Sequence, residues 1–395
     1  MILPLLENVR EQLIRNLVRI THAIGKLQKS PYSQLSFAPL EDDIVKRFES
    51  AISSHSQTWA VIDLFVIDQE IIFVLITCSN ITLHRSKMTL SQVRELQKLY
   101  LESINDFNDL FSKFKNDIID NINERIIDVE HIYIIPFDDL HAIPWESVFE
   151  NKSVSRSYNL NMLYLLLQHK NVSSDEKKLG LIVCPDSALN EITQKEIDFV
   201  SGIFEKLGFQ LVKLLNNNAT KENTINYLEK SQIAHIICHA NFDPYTPLNS
   251  SFMLSEEEVF ASEIYNLTNG PDVLFINACG AGKSNNMSHI GLVYDNAIDR
   301  IAIRNTPISS FSSTKVYDEQ IGIVSSFFAS GSRSIIAPIS TITVYDAYEA
   351  ANIIYTILCN GKSIGDAIKE VSTKRLEYNV PAIGYALYGN PYYMV

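Results

Sequence analysis

From Leu179 onward, short runs of strand length, most of them apolar, alternate with segments of helix length, and few folds accept that order. The runs fall at 181–184, 210–214, 233–238, 273–276 and 334–337, and the helical segments at 192–207, 220–230, 321–329, 346–358 and 363–377. Runs that are apolar at every position are buried on both faces, which is the condition of a mainly parallel sheet covered by helices on each side. Residues 176–395 are therefore expected to form a doubly wound α/β unit. Thr220 is placed to cap the second of these helices, and Asn360-Gly361 to stop the fourth.

Two of the runs end in reactive side chains. IAHIICHA (Ile233 to Ala240) delivers His239, and DVLFINACGAG (Asp272 to Gly282) delivers Cys279 among Ala278, Gly280 and Gly282, whose small size lets a substrate approach. In an open parallel sheet the carboxyl ends of the strands line the ligand crevice, so a thiol and an imidazole forty residues apart can meet there. A thiol that attacks a carbonyl needs a base within reach, which His239 could supply. The competing reading of Cys279 is a buried core thiol, as read for Cys184, Cys238 and Cys359. His235, four residues before His239 and deeper along the strand, reads as a packed imidazole.

Three further segments, taken with the two strand ends, carry a resemblance. HIYIIPFDDLHAIPWESVF (His131 to Phe149), the His239 and Cys279 strand ends, GIVSSFFASGSRSIIAPISTITVYDA (Gly322 to Ala347) and ALYGNP (Ala386 to Pro391) follow in the order of the CHAT branch of caspase-like cysteine peptidases, which includes relatives of separase. The similarity covers roughly residues 57 to 395. It implies a caspase-like doubly wound, mainly parallel sheet flanked by helices, preceded by an N-terminal α+β pseudo-caspase subdomain. It also implies a Cys279–His239 dyad, with the backbone N–H groups of Cys279 and Ala240 as oxyanion donors. Ala240 stands where the family usually has Gly, a change that leaves the amide in place. The family's substrate pocket maps onto Asp186 and Asn277; one acid and no Arg there fits a basic or neutral residue before the cut. Asp186 could equally stabilise its own Pro-Asp turn. His141, in the Leu-His-x-x-Pro turn, reads as a turn-stabilising side chain.

The remaining organisation follows from local pattern. Apolar residues recur at helical spacing over 5–27, a proline-bearing linker spans 30–39, and a second helix is expected over 41–53. WAVIDLFVIDQEIIFVLIT (Trp59 to Thr77) reads as a hairpin without the usual Asn-Gly turn. A helix over 91–123, broken near Asp106, precedes strand 131–135. The expected division is an N-terminal helical segment at 1–55, a pseudo-caspase subdomain at 56–175 and the peptidase subdomain at 176–395, with the boundary near 170–178.

Composition narrows the partners. The chain has 395 residues, of which 46% are hydrophobic and 20% charged, enough for a substantial core. A net charge of −13 argues against nucleic acid as a direct partner. Five cysteines without a C-x-x-C spacing suggest neither a disulfide framework nor zinc, and no cofactor is implied. A reducing cytoplasm fits. Early charges at Glu7, Arg10 and Glu11 and the lack of an 18-residue apolar run give no signal peptide and no membrane span. Lys283 to Gln320 is a long polar connection after Cys279, read either as an activation loop or as an insertion. The leading expectation is a cytosolic cysteine endopeptidase acting on a protein partner once a sensor or activating protein signals; the resemblance places such enzymes in bacterial antiviral defence or programmed cell death. The alternatives are a catalytically silent caspase-like scaffold for protein–protein interaction and a thiol hydrolase or acyltransferase of small molecules.

Overall fold

The computed structural model describes residues 58–67, 69–77, 81–102, 104–149, 151–158, 160, 162–163, 178–185, 188–243, 247–278, 285–286, 320–339, 342–377 and 384–394. The expected helices over 5–27 and 41–53 lie outside them, as does most of the boundary near 170–178.

The first described elements are the hairpin β1 (Trp59–Ile67) and β2 (Glu70–Thr77), then β3 (Ile81–Thr89). Ile67 pairs with Glu70, so the turn holds two residues, and Gln69 takes φ 73° in the place where Asn or Gly is usual. Helices α1 (Leu90–Glu102) and α2 (Ile104–Ile126) follow, with residue 103 between them outside the described residues. Then come β4 (His131–Ile135), the short α3 (Trp145–Val148) and β5 (Ser153–Arg156).

The second half begins with β6 (Leu179–Cys184), α4 (Glu191–Lys206), β7 (Gln210–Leu215), α5 (Lys221–Leu228) and β8 (Ile233–Ile237). Thr220 caps α5 by accepting from the Asn223 N–H at 3.2 Å, as its sequence position suggests. Three short strands, β9 (His239–Asn241), β10 (Ser251–Met253) and β11 (Glu258–Phe260), lead to α6 (Ala261–Tyr265) and β12 (Val273–Asn277). After β13 (Asn285–Asn286) and β14 (Gln320–Ile321) the chain completes α7 (Ile323–Ala329), β15 (Ser334–Pro338), α8 (Val344–Cys359), α9 (Ile364–Glu377) and β16 (Tyr385–Gly389).

Eleven strands form one sheet in the order β3-β2-β1-β4-β5-β16-β15-β12-β8-β6-β7. It is mostly parallel, but in two blocks. β1, β4, β5 and β16 run one way, and the antiparallel β15–β16 pair turns β15, β12, β8, β6 and β7 the other way. The apolar runs alternate their burial between two clusters: Leu274 and Ile276 pack toward α7, while Val273 and Phe275 pack toward α4 and α8. That two-sided burial is why these strands carry no polar alternation. In the first half, α1, α2 and α3 cover one face of β1, β2 and β4 with Val93, Phe114 and Trp145.

Candidate active site

β8 and β12 are adjacent, parallel and in level register, with Ile237 opposite Asn277. The Cys238 N–H donates to the Asn277 carbonyl at 3.2 Å, so the ladder continues one step past the paired strand. There the chain leaves the large sheet. β9 pairs instead with β10, setting His239 opposite Met253 and Ala240 opposite Phe252. The consequence is a sharp division between neighbours: Cys238 is buried in the core, His239 is exposed, and Ala240 is half-buried against the core cluster. On the other strand Ala278 is buried, and Cys279 follows it in sequence. Cys279 itself lies outside the described residues, as do Asp186 and residues 287–319 of the long connection after it. Asn285 and Asn286 pair with Ile321 and Gln320.

Asn277, read from the sequence as a substrate-pocket residue, has a different placement. It is 5% exposed, and its carboxamide is held at both ends: the nitrogen donates to Glu196 Oε1 and the oxygen accepts from the Tyr385 hydroxyl. Its position explains this, since Asn277 shares the face of Val273 and Phe275, which is roofed by α4 and α8. Glu196 Oε1 also receives His235 Nε2 at 2.9 Å, and His235 Nδ1 lies 3.1 Å from the Tyr355 hydroxyl. Burial, and after it the Glu196 carboxylate, push the Tyr355 pKa well above the usual phenol range, so that hydroxyl keeps its proton. His235 is thus the packed imidazole its sequence position suggested. Glu196 was not read as functional, yet a signal was available: it lies on the buried stripe of α4 with Thr193, Ile197 and Val200, where a carboxylate is out of place.

His141 belongs to another region. β4 runs opposite to β8 and β12, so the turn that follows it leaves from the far edge of the sheet. That turn is pinned by Arg156, which donates to the His141 carbonyl at 2.7 Å, the Ile143 carbonyl at 2.7 Å and both oxygens of Glu146 at 2.8 and 2.6 Å. The Leu-His-x-x-Pro-Trp-Glu segment is thereby held through its backbone and its Glu. Cys184 is also fully buried, and Cys359 partly so. Among the described residues no helix is long and apolar enough to cross a membrane, and no three metal-ligating side chains converge.

An open sheet of this order with a histidine at a carboxyl strand end defines the caspase-like α/β class. The CHAT domain family model matches residues 111–393, and the chain belongs to that family. Two crystal structures of the Saccharomyces cerevisiae separase–securin complex are similar in fold. The one at 2.6 Å resolution gives a TM-score of 0.57 at 12% identity over 92% of this chain; the one at 3.0 Å gives 0.56 at 11% over 91%. In both cases the match covers 32% of the larger chain, so this chain spans about a third of its length. Among curated proteins no sequence match is significant.

Proposed function

We propose that this chain is a cysteine endopeptidase that cuts a protein partner after activation by a second protein, in a setting of bacterial antiviral defence or programmed cell death. Cys279 is the nucleophile and His239 its base. The observation that supports this most directly is the level register of β8 and β12: His239 is exposed two residues past the end of one strand, and Cys279 follows the other at the same offset in sequence. In this reading His239 takes the thiol proton, the thiolate attacks the peptide carbonyl, and the imidazolium returns the proton to the leaving amine. The N–H groups of Ala240 and Cys279 receive the oxyanion. Asp186 remains the substrate-facing acid. The edge where β8, β12 and β15 end also carries exposed apolar side chains, Val344 and Tyr345 at the start of α8 and Met253 opposite His239, which suit an extended peptide better than a small polar substrate. Control by a bound protein is supported by the separase structures, which hold securin.

The test is the pH profile of Cys279 alkylation by iodoacetamide, read residue by residue with mass spectrometry. A paired thiolate reacts at about pH 6, well below an ordinary thiol midpoint of about 8.5, and His239→Ala moves that midpoint up. An ordinary profile in the unaltered protein that His239→Ala leaves unchanged would favour the silent scaffold.

A further inference from the structure

We propose that Glu196, with Tyr385, holds Asn277 as a positioning residue for the nucleophile segment; this rests on the reading of Cys279 and His239 as a dyad. Glu196 Oε1 accepts from Asn277 on β12 and from His235 on β8, so one carboxylate oxygen bridges the two strands that lead to the proposed dyad. Asn277 is the last paired residue of its strand, and only Ala278, whose side chain is a methyl group, stands between it and Cys279. Its carboxamide nitrogen is tied to α4, its carboxamide oxygen to β16, and its main-chain oxygen to the Cys238 N–H. With side chain and backbone both tethered, the direction in which the chain leaves β12 is set relative to β8.

Stability alone does not account for this arrangement. Glu196 is fully buried, and its Oε2 has no hydrogen-bond partner among the described residues. A carboxylate so incompletely satisfied costs the fold more than apolar packing of the same volume would, which is the usual mark of a group kept for geometry. Five elements, α4, β8, β12, α8 and β16, contribute to one cluster directly under the strand ends. The cluster acts through the main chain of Asn277, from which the chain leaves β12.

The experiment follows Cys279 alkylation by iodoacetamide in Asn277→Ala, Tyr385→Phe, Glu196→Gln and His239→Ala, with near-ultraviolet circular dichroism to confirm folding. Asn277→Ala is expected to slow alkylation at about pH 6 by about tenfold and to raise its midpoint. Tyr385→Phe, which removes one hydroxyl and keeps the ring, gives a smaller change in the same direction. Glu196→Gln keeps most of the rate, because a carboxamide oxygen still accepts from both donors. If His239→Ala alters the profile while folded Asn277→Ala and Tyr385→Phe do not, the positioning role is wrong and the dyad stands. If His239→Ala alters nothing, the dyad itself falls. Should Asn277→Ala fail to fold, Tyr385→Phe decides.

Discussion

The main-chain N–H of Cys238 reaches the carbonyl of Asn277 over 3.2 Å, and among the described residues this bond is the last rung between the two strands that lead to the proposed site. It places a buried thiol one residue before an exposed imidazole. The contrast gives the first expected outcome.

Cys238→Ala and Cys184→Ala each empty a fully packed position, so each lowers unfolding free energy by about 1–3 kcal/mol in urea titration. Neither changes the alkylation of Cys279. A loss of Cys279 reactivity in either variant, with folding intact, would contradict their assignment to the core.

Removing Arg156 exposes a larger debt of unsatisfied polar groups. Arg156→Ala leaves the Glu146 carboxyl, 4% exposed, without its guanidinium, along with two carbonyls that lose their donor. The expected loss is about 3–5 kcal/mol by denaturant titration. Adding Glu146→Leu to Arg156→Met recovers part of it, since no buried charge then stands alone; the bare carbonyls of His141 and Ile143 prevent full recovery.

His131 makes stability depend on pH. It is wholly buried, its Nε2 meets Ser155 at 3.0 Å, its Nδ1 has no partner among the described residues, and burial drives its pKa down to about 3. The folded protein holds it neutral, while the unfolded chain protonates it below about 6.5, so the unfolded state gains protons first as pH falls. Stability from this group is complete above that value and drains away toward pH 3. Between about pH 7 and 5 the loss amounts to about 2 kcal/mol, and His131→Phe should be free of it. Equal slopes for the two proteins in denaturant titrations across that range would refute the assignment.

Gly389 closes β16 with φ 91°, and a methyl group in its place would press into the Arg333 carbonyl oxygen. Gly389→Ala is therefore expected to cost about 3 kcal/mol or more, through the dihedral and the clash together. Differential scanning calorimetry showing an unshifted transition would refute it.

What could be read from residues alone followed from burial on both faces. β7 (QLVKLL), at the sheet edge, exposes Gln210 and Lys213, whereas β6, β8, β12 and β15 announce themselves because nearly every side chain is apolar, and the helices between them by their spacing. β5 does not: SVSR pairs within the sheet, but Arg156 is buried by virtue of Glu146 and two carbonyls that come from another element. β3 is an edge strand that exposes Ile81, Arg85, Lys87 and Thr89 on one face, but of its buried positions Ser86 and Met88 only one is apolar, so the alternation in ITLHRSKMT is hard to see as hydrophobicity. Near the proposed site, β8 and β12 themselves were legible from their sequences. The departure of β9 into a second sheet was not, since a three-residue strand has no period to read. Asn277 illustrates the limit most clearly, because whether a carboxamide faces substrate or core depends on Glu196 and Tyr385, 81 and 108 residues away.

The place of β16 sets an order of events at the ribosome. It is the sixth of eleven strands in space and the last of them to be synthesised. Until residues 385–389 emerge, β5 and β15 each wait with an open edge, and the two oppositely directed blocks are separate half-sheets. The Tyr385 hydroxyl that grips Asn277 arrives with the same strand. The growing chain can therefore hold both residues of the proposed dyad for about a hundred codons without the bond from Tyr385 to Asn277, and that bond and the joining of the two half-sheets come in a single insertion.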